Sequence, residues 1–187
     1  IMQKAKKFVT LCILSALVLF LIVPNMASAA PEMTLRFAGQ VPLEHTATKL
    51  MHQVADEVKE KTNGRIVVEV YPANQLGDYT LVYEELIRGT IDMAAISVPS
   101  QFDPRLEVTY INCFVRNFDE AKSVFAPDGW LFKKMDELSA RLGVKLLGFQ
   151  VEGFIGIGST KPVNEPLNPN VDKGVLVRIP NMDVYKL

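Results

Sequence analysis

Cysteine is nearly absent from this chain, with only Cys12 and Cys113 among 187 residues. Cys12 falls in the leader described below, so the remainder holds one thiol and no internal disulfide. Cys113 reads as a small buried apolar side chain, not a reactive one. Histidine is as scarce, represented by His45 and His52, and the sequence contains no H-E-x-x-H. Two unrelated histidines and one cysteine do not compose a metal site, so neither metal nor cofactor is expected. Ser97 and Ser100 stand outside any G-x-S-x-G elbow, which leaves no activated serine. Gly153 to Lys161 gives G-x-x-x-x-G, but Ser159 occupies the place where a phosphate loop needs its lysine. Pro162 then blocks the helix such a loop must open, so a glycine-rich turn is the reading. No excess of positive charge exists either: 20 basic residues face 21 acidic ones, and no basic stripe suggests nucleic acid.

Long apolar runs are also missing, with one exception. Phe8 to Val23 is apolar, follows Lys4, Lys6 and Lys7, and ends at Pro24 and the small string Ala27-Ser28-Ala29-Ala30. A basic head, an apolar middle and an A-x-A close describe a secretory signal peptide over residues 1–29, cut after Ala29. The competing reading is an uncleaved anchor, for which the run is barely long enough. Removal of the leader lysines lowers the 20 basic residues to 17 against 21 acidic, a net charge of −4. About 158 residues remain, enough for one good core.

Beyond the leader, Thr34 to Gly39 alternates as a strand running into a loop. Ala47, Leu50, Met51, Val54, Ala55 and Val58 form a helical stripe, with Gly64 as its C-cap. Arg65 to Tyr71 is a valine-rich strand stopped by Pro72. Asp78 caps a second helix that ends before Gly89. Ile91 to Ser97 is a nearly continuous apolar strand. Strand, helix, strand, helix, strand predicts two βαβ units on one parallel sheet. A helix follows between Gly129 and Leu142, then strands at Val144–Gln150 and Gly174–Ile179 joined by a rigid connector, Pro162–Pro169.

Ligands in parallel α/β sheets settle beyond the C-terminal ends of the strands. Those ends carry Gly39-Gln40, Ser97 and Arg178. Gln40 and Ser97 can hydrogen-bond a ligand without changing protonation. Arg178 stands in the otherwise apolar run Gly174–Pro180, where an unmatched guanidinium would be very unfavourable. It must therefore pair internally with a carboxylate or face a cleft, where its fork fits a carboxylate by two parallel bonds.

A family resemblance becomes specific at Asn63–Asp78, Glu84–Ala94 and Asp172–Pro180. Together these segments closely resemble the DctP-type solute-binding proteins of tripartite ATP-independent periplasmic (TRAP) transporters, whose pattern is approximately G-r-i-x-v-x-v-y-P-x-x-q-L-G, l-x-x-G-x-i-D-m and D-x-k-G-x-k-i-R-v-P. The resemblance runs from Leu35 to Asn181. It implies a periplasmic-binding-protein-like α/β fold of two lobes with mainly parallel sheets. On that pattern residues 30–150 form the first lobe and 151–187 begin the second, both incomplete because the chain stops early. The implied function is capture of a small organic acid in the periplasm for TRAP membrane permease subunits, by a monomer that is not an enzyme. Arg178 matches the arginine that clamps the ligand carboxylate, Gln40 and Ser97 match cleft-lining positions, and Gln75 secures a loop. Ile155 departs from the pattern, standing where many members place a second arginine, and Asn112-Cys113-Phe114 replaces a proline-containing turn. A sensor subunit for a membrane receptor, or an exported enzyme acting on small acids, are the alternatives.

Overall fold

The computed structural model describes residues 30–111, 115–151, 153 and 158–178. The leader, Asn112–Phe114 and Ile155 lie outside the described residues, and so do the expectations placed on them. The first strand, β1 (Met33–Gly39), leads to α1 (Thr46–Lys61), then β2 (Ile66–Tyr71), α2 (Tyr79–Arg88) and β3 (Met93–Ala95). A 3-10 helix (Pro104–Tyr110), α3 (Phe118–Phe125) and α4 (Trp130–Arg141) follow. The βαβαβ reading therefore holds, with β3 shorter than the apolar run that announces it.

The sheet is parallel in the order β2-β1-β3. β1 pairs with β2 from Met33↔Ile66 to Ala38↔Tyr71, and with β3 from Phe37↔Met93 to Gly39↔Ala95. Two right-handed crossovers that travel in opposite directions along a sheet put their helices on opposite faces. The packing agrees with this. Phe37, Val68 and Met51 of α1 form one buried cluster, joined by Met93 and Ala95. Ala38, Ile91 and Val82 of α2 form another, joined by Ala94 and Ile96. Adjacent residues of β1 thus serve opposite layers, as the two-residue strand period requires.

Helix ends explain where the elements stop. His45, not a serine or aspartate, caps α1: its Nδ1 accepts the Ala47 N–H at 3.1 Å. The other end closes at Thr62, whose hydroxyl donates to the Val58 carbonyl at 2.7 Å and accepts the Ile66 N–H at 3.1 Å. Gly64 lies two residues past that cap at φ 77°, so it makes the turn into β2 and is not the cap itself. Asp78 caps α2 as expected, accepting from Thr80 and Leu81 at 3.0 and 2.9 Å, and Gly89 takes the left-handed conformation past its end. The α1 stripe is narrower than its spacing suggests. Ala47 and Met51 are buried, while Leu50 and Val54 are exposed on the outer flank.

A third cluster gathers Leu106 of the 3-10 helix with Leu131, Met135 and Leu138 of α4, all fully buried. Side chains of this size contribute about 1.5–3 kcal/mol each on full burial. Gly129, the residue before α4, sits where nothing larger fits: a Cβ there would run into the Val124 carbonyl and lie 2.8 Å from that of Ser123.

Among the described residues, two expected strands are not formed. Val144–Gln150 and the described part of Gly174–Ile179 carry no ladder pairing. The first segment is nonetheless held, with Phe149 packed edge-on against Phe125 and Phe132 at 5.3 and 6.1 Å. In the second, Leu176 and Val177 are exposed. Strand-forming side chains do not make a strand without a neighbour to receive the backbone bonds. The intervening connector folds on itself: the Asn164 N–H donates to the Lys173 carbonyl at 3.1 Å, and Lys173 Nζ donates to the carbonyls of Glu165 and Asn168.

Candidate ligand-binding site

In the order β2-β1-β3, the chain leaves β1 toward β2, while β3 lies on the other side. The C-terminal ends of β1 and β3 therefore flank a switch point, where departing connections diverge and open a crevice. Gln40 is the first residue beyond β1, and Ser97 lies two beyond β3. The structure brings them together although 57 residues separate them. The Ser97 N–H donates to Gln40 Oε1 at 2.8 Å, and Gln40 Nε2 donates to Ser97 Oγ at 2.9 Å.

This pair is a clasp across the switch point, and it keeps hydrogen-bonding capacity in reserve. Ser97 retains its own hydroxyl proton, and the Gln40 amide retains one N–H and one carbonyl lone pair. Both side chains are half-buried, and neither titrates. The pair is thus neutral, polar and able both to donate and to accept.

The loop bearing Gln40 is fastened from two sides. The N–H groups of Ala73 and Asn74 donate to the carbonyls of Val41 and Gly39 at 2.9 and 3.0 Å. Fully buried Thr48 on α1 donates its hydroxyl to the Pro42 carbonyl at 2.8 Å. Gly39 lets the α1 side chain pack close beneath: a Cβ would come within 2.8 Å of Met51 Sδ, and that flexible thioether would have to move. Gln75 closes the same turn through its backbone N–H to the Pro72 carbonyl, at 3.1 Å, and its side chain is exposed.

Arg178 stands apart from this geometry. It is exposed, in a stretch without strand structure, and no hydrogen bond joins it to Gln40 or Ser97. The desolvation argument that singles it out in the sequence does not act in this conformation, because Leu176 and Val177 beside it are exposed too. No group of three or more His, Cys, Asp or Glu converges among the described residues, and His45 serves as a helix cap. Sequence reasoning misses one contributor, Asp92, whose carboxylate accepts the Arg36 N–H of β1 at 2.7 Å. Its only signal is its place in the G-x-i-D-m segment, just before β3.

Comparison with known proteins points one way. A family model described as bacterial extracellular solute-binding protein, family 7 (DctP), matches residues 37–186. The sialic acid-binding periplasmic protein SiaP of Vibrio cholerae is 27% identical over 158 residues, covering 83% of this chain and 48% of the relative. A TRAP periplasmic solute-binding protein of Desulfovibrio desulfuricans, solved with sn-glycerol-3-phosphate, is 26% identical with a TM-score of 0.57, over 62% of this chain and 37% of that one. Another, from Haemophilus influenzae with L-gulonate, shares the fold at 21% identity and a TM-score of 0.57, over 62% and 38%. The chain spans about half the length of the curated relatives it matches.

Proposed function

The chain belongs to family 7 of the bacterial extracellular solute-binding proteins, the DctP type that serves TRAP transporters, and from that premise we propose that it captures a small organic carboxylate in the periplasm and hands it to a TRAP-type membrane permease. The observation that carries this reading is the Gln40–Ser97 clasp at the β1/β3 switch point. The Gln40–Ser97 pair offers donors and acceptors without a titrating group, which suits reversible capture of a polar solute.

In this scheme residues 1–29 are the export signal, 30–150 belong to a first lobe and 151–187 begin a second. Gln40 and Ser97 meet the polar part of the ligand from the first lobe. Arg178 answers its carboxylate from the second, and closure follows because only the closed form makes both sets of contacts. Charge-assisted bonds in the drier closed cleft contribute on the order of 1.5–3 kcal/mol each. Two of the similar proteins bind sialic acid and gulonate, both carboxylates, while a third holds glycerol 3-phosphate, a phosphate monoester. The anion class is therefore the point to test.

Calorimetry on the full-length mature protein, with sialic acid, gulonate, succinate and glycerol 3-phosphate, decides it. Binding of a carboxylate, weakened by roughly 2–5 kcal/mol in Arg178→Ala, is the expected result. Binding of the phosphate alone, or equal affinity in the variant, would remove the carboxylate clamp.

A further inference from the structure

β3 is only three residues long and lies at one end of the described sheet order, yet it positions Ser97 against Gln40. Three ladder positions are a weak hold for a strand. Its two ends are secured by side chains instead. Beyond the C-terminal end, Gln40 takes the Ser97 N–H. Before the N-terminal end, Asp92 grips Arg36 of β1 in both directions. Its carboxylate Oδ2 accepts the Arg36 N–H at 2.7 Å, and its own N–H donates to the Arg36 carbonyl at 3.3 Å.

The carboxylate thus takes the β1 donor that a longer β3 would have used. It ends the ladder at Met93 and fixes the pairing Phe37↔Met93, Ala38↔Ala94, Gly39↔Ala95. Register matters here because a one-residue slip sends each side chain to the other face. Met93 and Ala95 would leave the α1 layer, Ala94 and Ile96 would leave the α2 layer, and Ser97 would leave Gln40. A bond from a backbone N–H to an ionised carboxylate is also stronger than the neutral bonds of the ladder.

We infer that Asp92 is a positioning residue for the ligand site: its carboxylate sets the register of β3 and through it the place of Ser97. Its effect on binding rests on the function proposed above, while its effect on Ser97 does not.

The test is residue-resolved amide exchange on the ligand-free protein, with calorimetry on the same samples using the four acids named above. Asp92→Ala is expected to speed exchange of the Ser97 amide about tenfold or more, while the amides of Val67 and Glu69, which face β1 in the β2 ladder, change little. Asp92→Asn keeps an acceptor oxygen and is expected to restore most of the protection, and it serves as the folded variant should Asp92→Ala not fold. Unchanged exchange at Ser97 in Asp92→Ala, or an equal rise across the whole sheet, would overturn the inference. So would an Asp92→Asn protein whose Ser97 exchanges as fast as in Asp92→Ala. If none of the acids binds the unmodified protein, the proposed function fails while the exchange data still judge Asp92.

Discussion

Two parts of this chain carry similar strand-forming sequence and finish in different states. Arg65–Tyr71, rich in valine, becomes β2 and buries Val68 against Phe37 and Met51. Val144–Gln150 and Gly174–Arg178 have comparable aliphatic content, yet form no ladder among the described residues and leave Leu147 and Leu176 in solvent. What separates them is partnership. β2 has β1 beside it and α1 above it, whereas among the described residues no strand lies beside either later segment. Strand propensity states how well a segment fits a pleated surface, and the surface has to be supplied by another part of the chain.

Core truncation gives the strongest contrast. Leu138→Ala, at a position with 0% exposure, is expected to lower stability by about 2–5 kcal/mol. Leu176→Ala, at 105%, is expected to change it by less than about 0.5 kcal/mol. Chemical denaturation of the two variants checks this, and equal losses would mean that Leu176 is buried in solution.

A smaller effect is expected from adding a single methyl group. Gly129→Ala forces a Cβ into the carbonyls of Ser123, Val124 and Ala126 and should cost about 1–3 kcal/mol. Gly148→Ala, with nothing within 4 Å of the new atom, should be nearly neutral. Thermal melts of the pair measure the difference, and a neutral Gly129→Ala would show that the α3–α4 turn relaxes.

The smallest effect concerns charge in the loop that follows β3. The Arg105 guanidinium, hydrogen-bonded to Asp103, holds that carboxyl down at about 2. Because the folded value is depressed, the stabilisation is complete above the ordinary carboxylate range and fades as pH falls toward about 2. The stability gap between the unmodified protein and Asp103→Asn should therefore stay constant near neutrality and close between about pH 4 and pH 2. A gap that persists at the acid end would show that Asp103 acts through shape and capping, not charge.

Much of the front of the molecule is legible because its signals are local. Asp78 and Gly89 bracket α2 where their chemistry requires, and the period-two pattern of β1 assigns its two faces correctly. The His45 cap is not legible, since histidine is a rare cap. The short helix α3 has too few turns for a stripe to show. Its cap does leave a mark, with Asn117 accepting the Glu120 N–H and Glu120 accepting the Arg116 N–H. At the site, the placement of Gln40 and Ser97 at strand ends is readable, and their mutual bonding is not. A pairing across 57 residues depends on the strand order. The argument for Arg178 assumes a buried strand around it, and the described conformation does not supply one.

The order β2-β1-β3 has an evolutionary consequence. Diverging connections need no cavity carved out of the interior, so the side chain at position 97 can be exchanged while Phe37, Val68 and Val82 stay as they are and the backbone N–H of residue 97 still reaches Gln40. Gln40 is tied to the fold through that bond, whereas the hydroxyl of Ser97 is not. Under the proposed function, a change of solute would therefore begin at position 97, where a point replacement leaves the anchor of β3 in place.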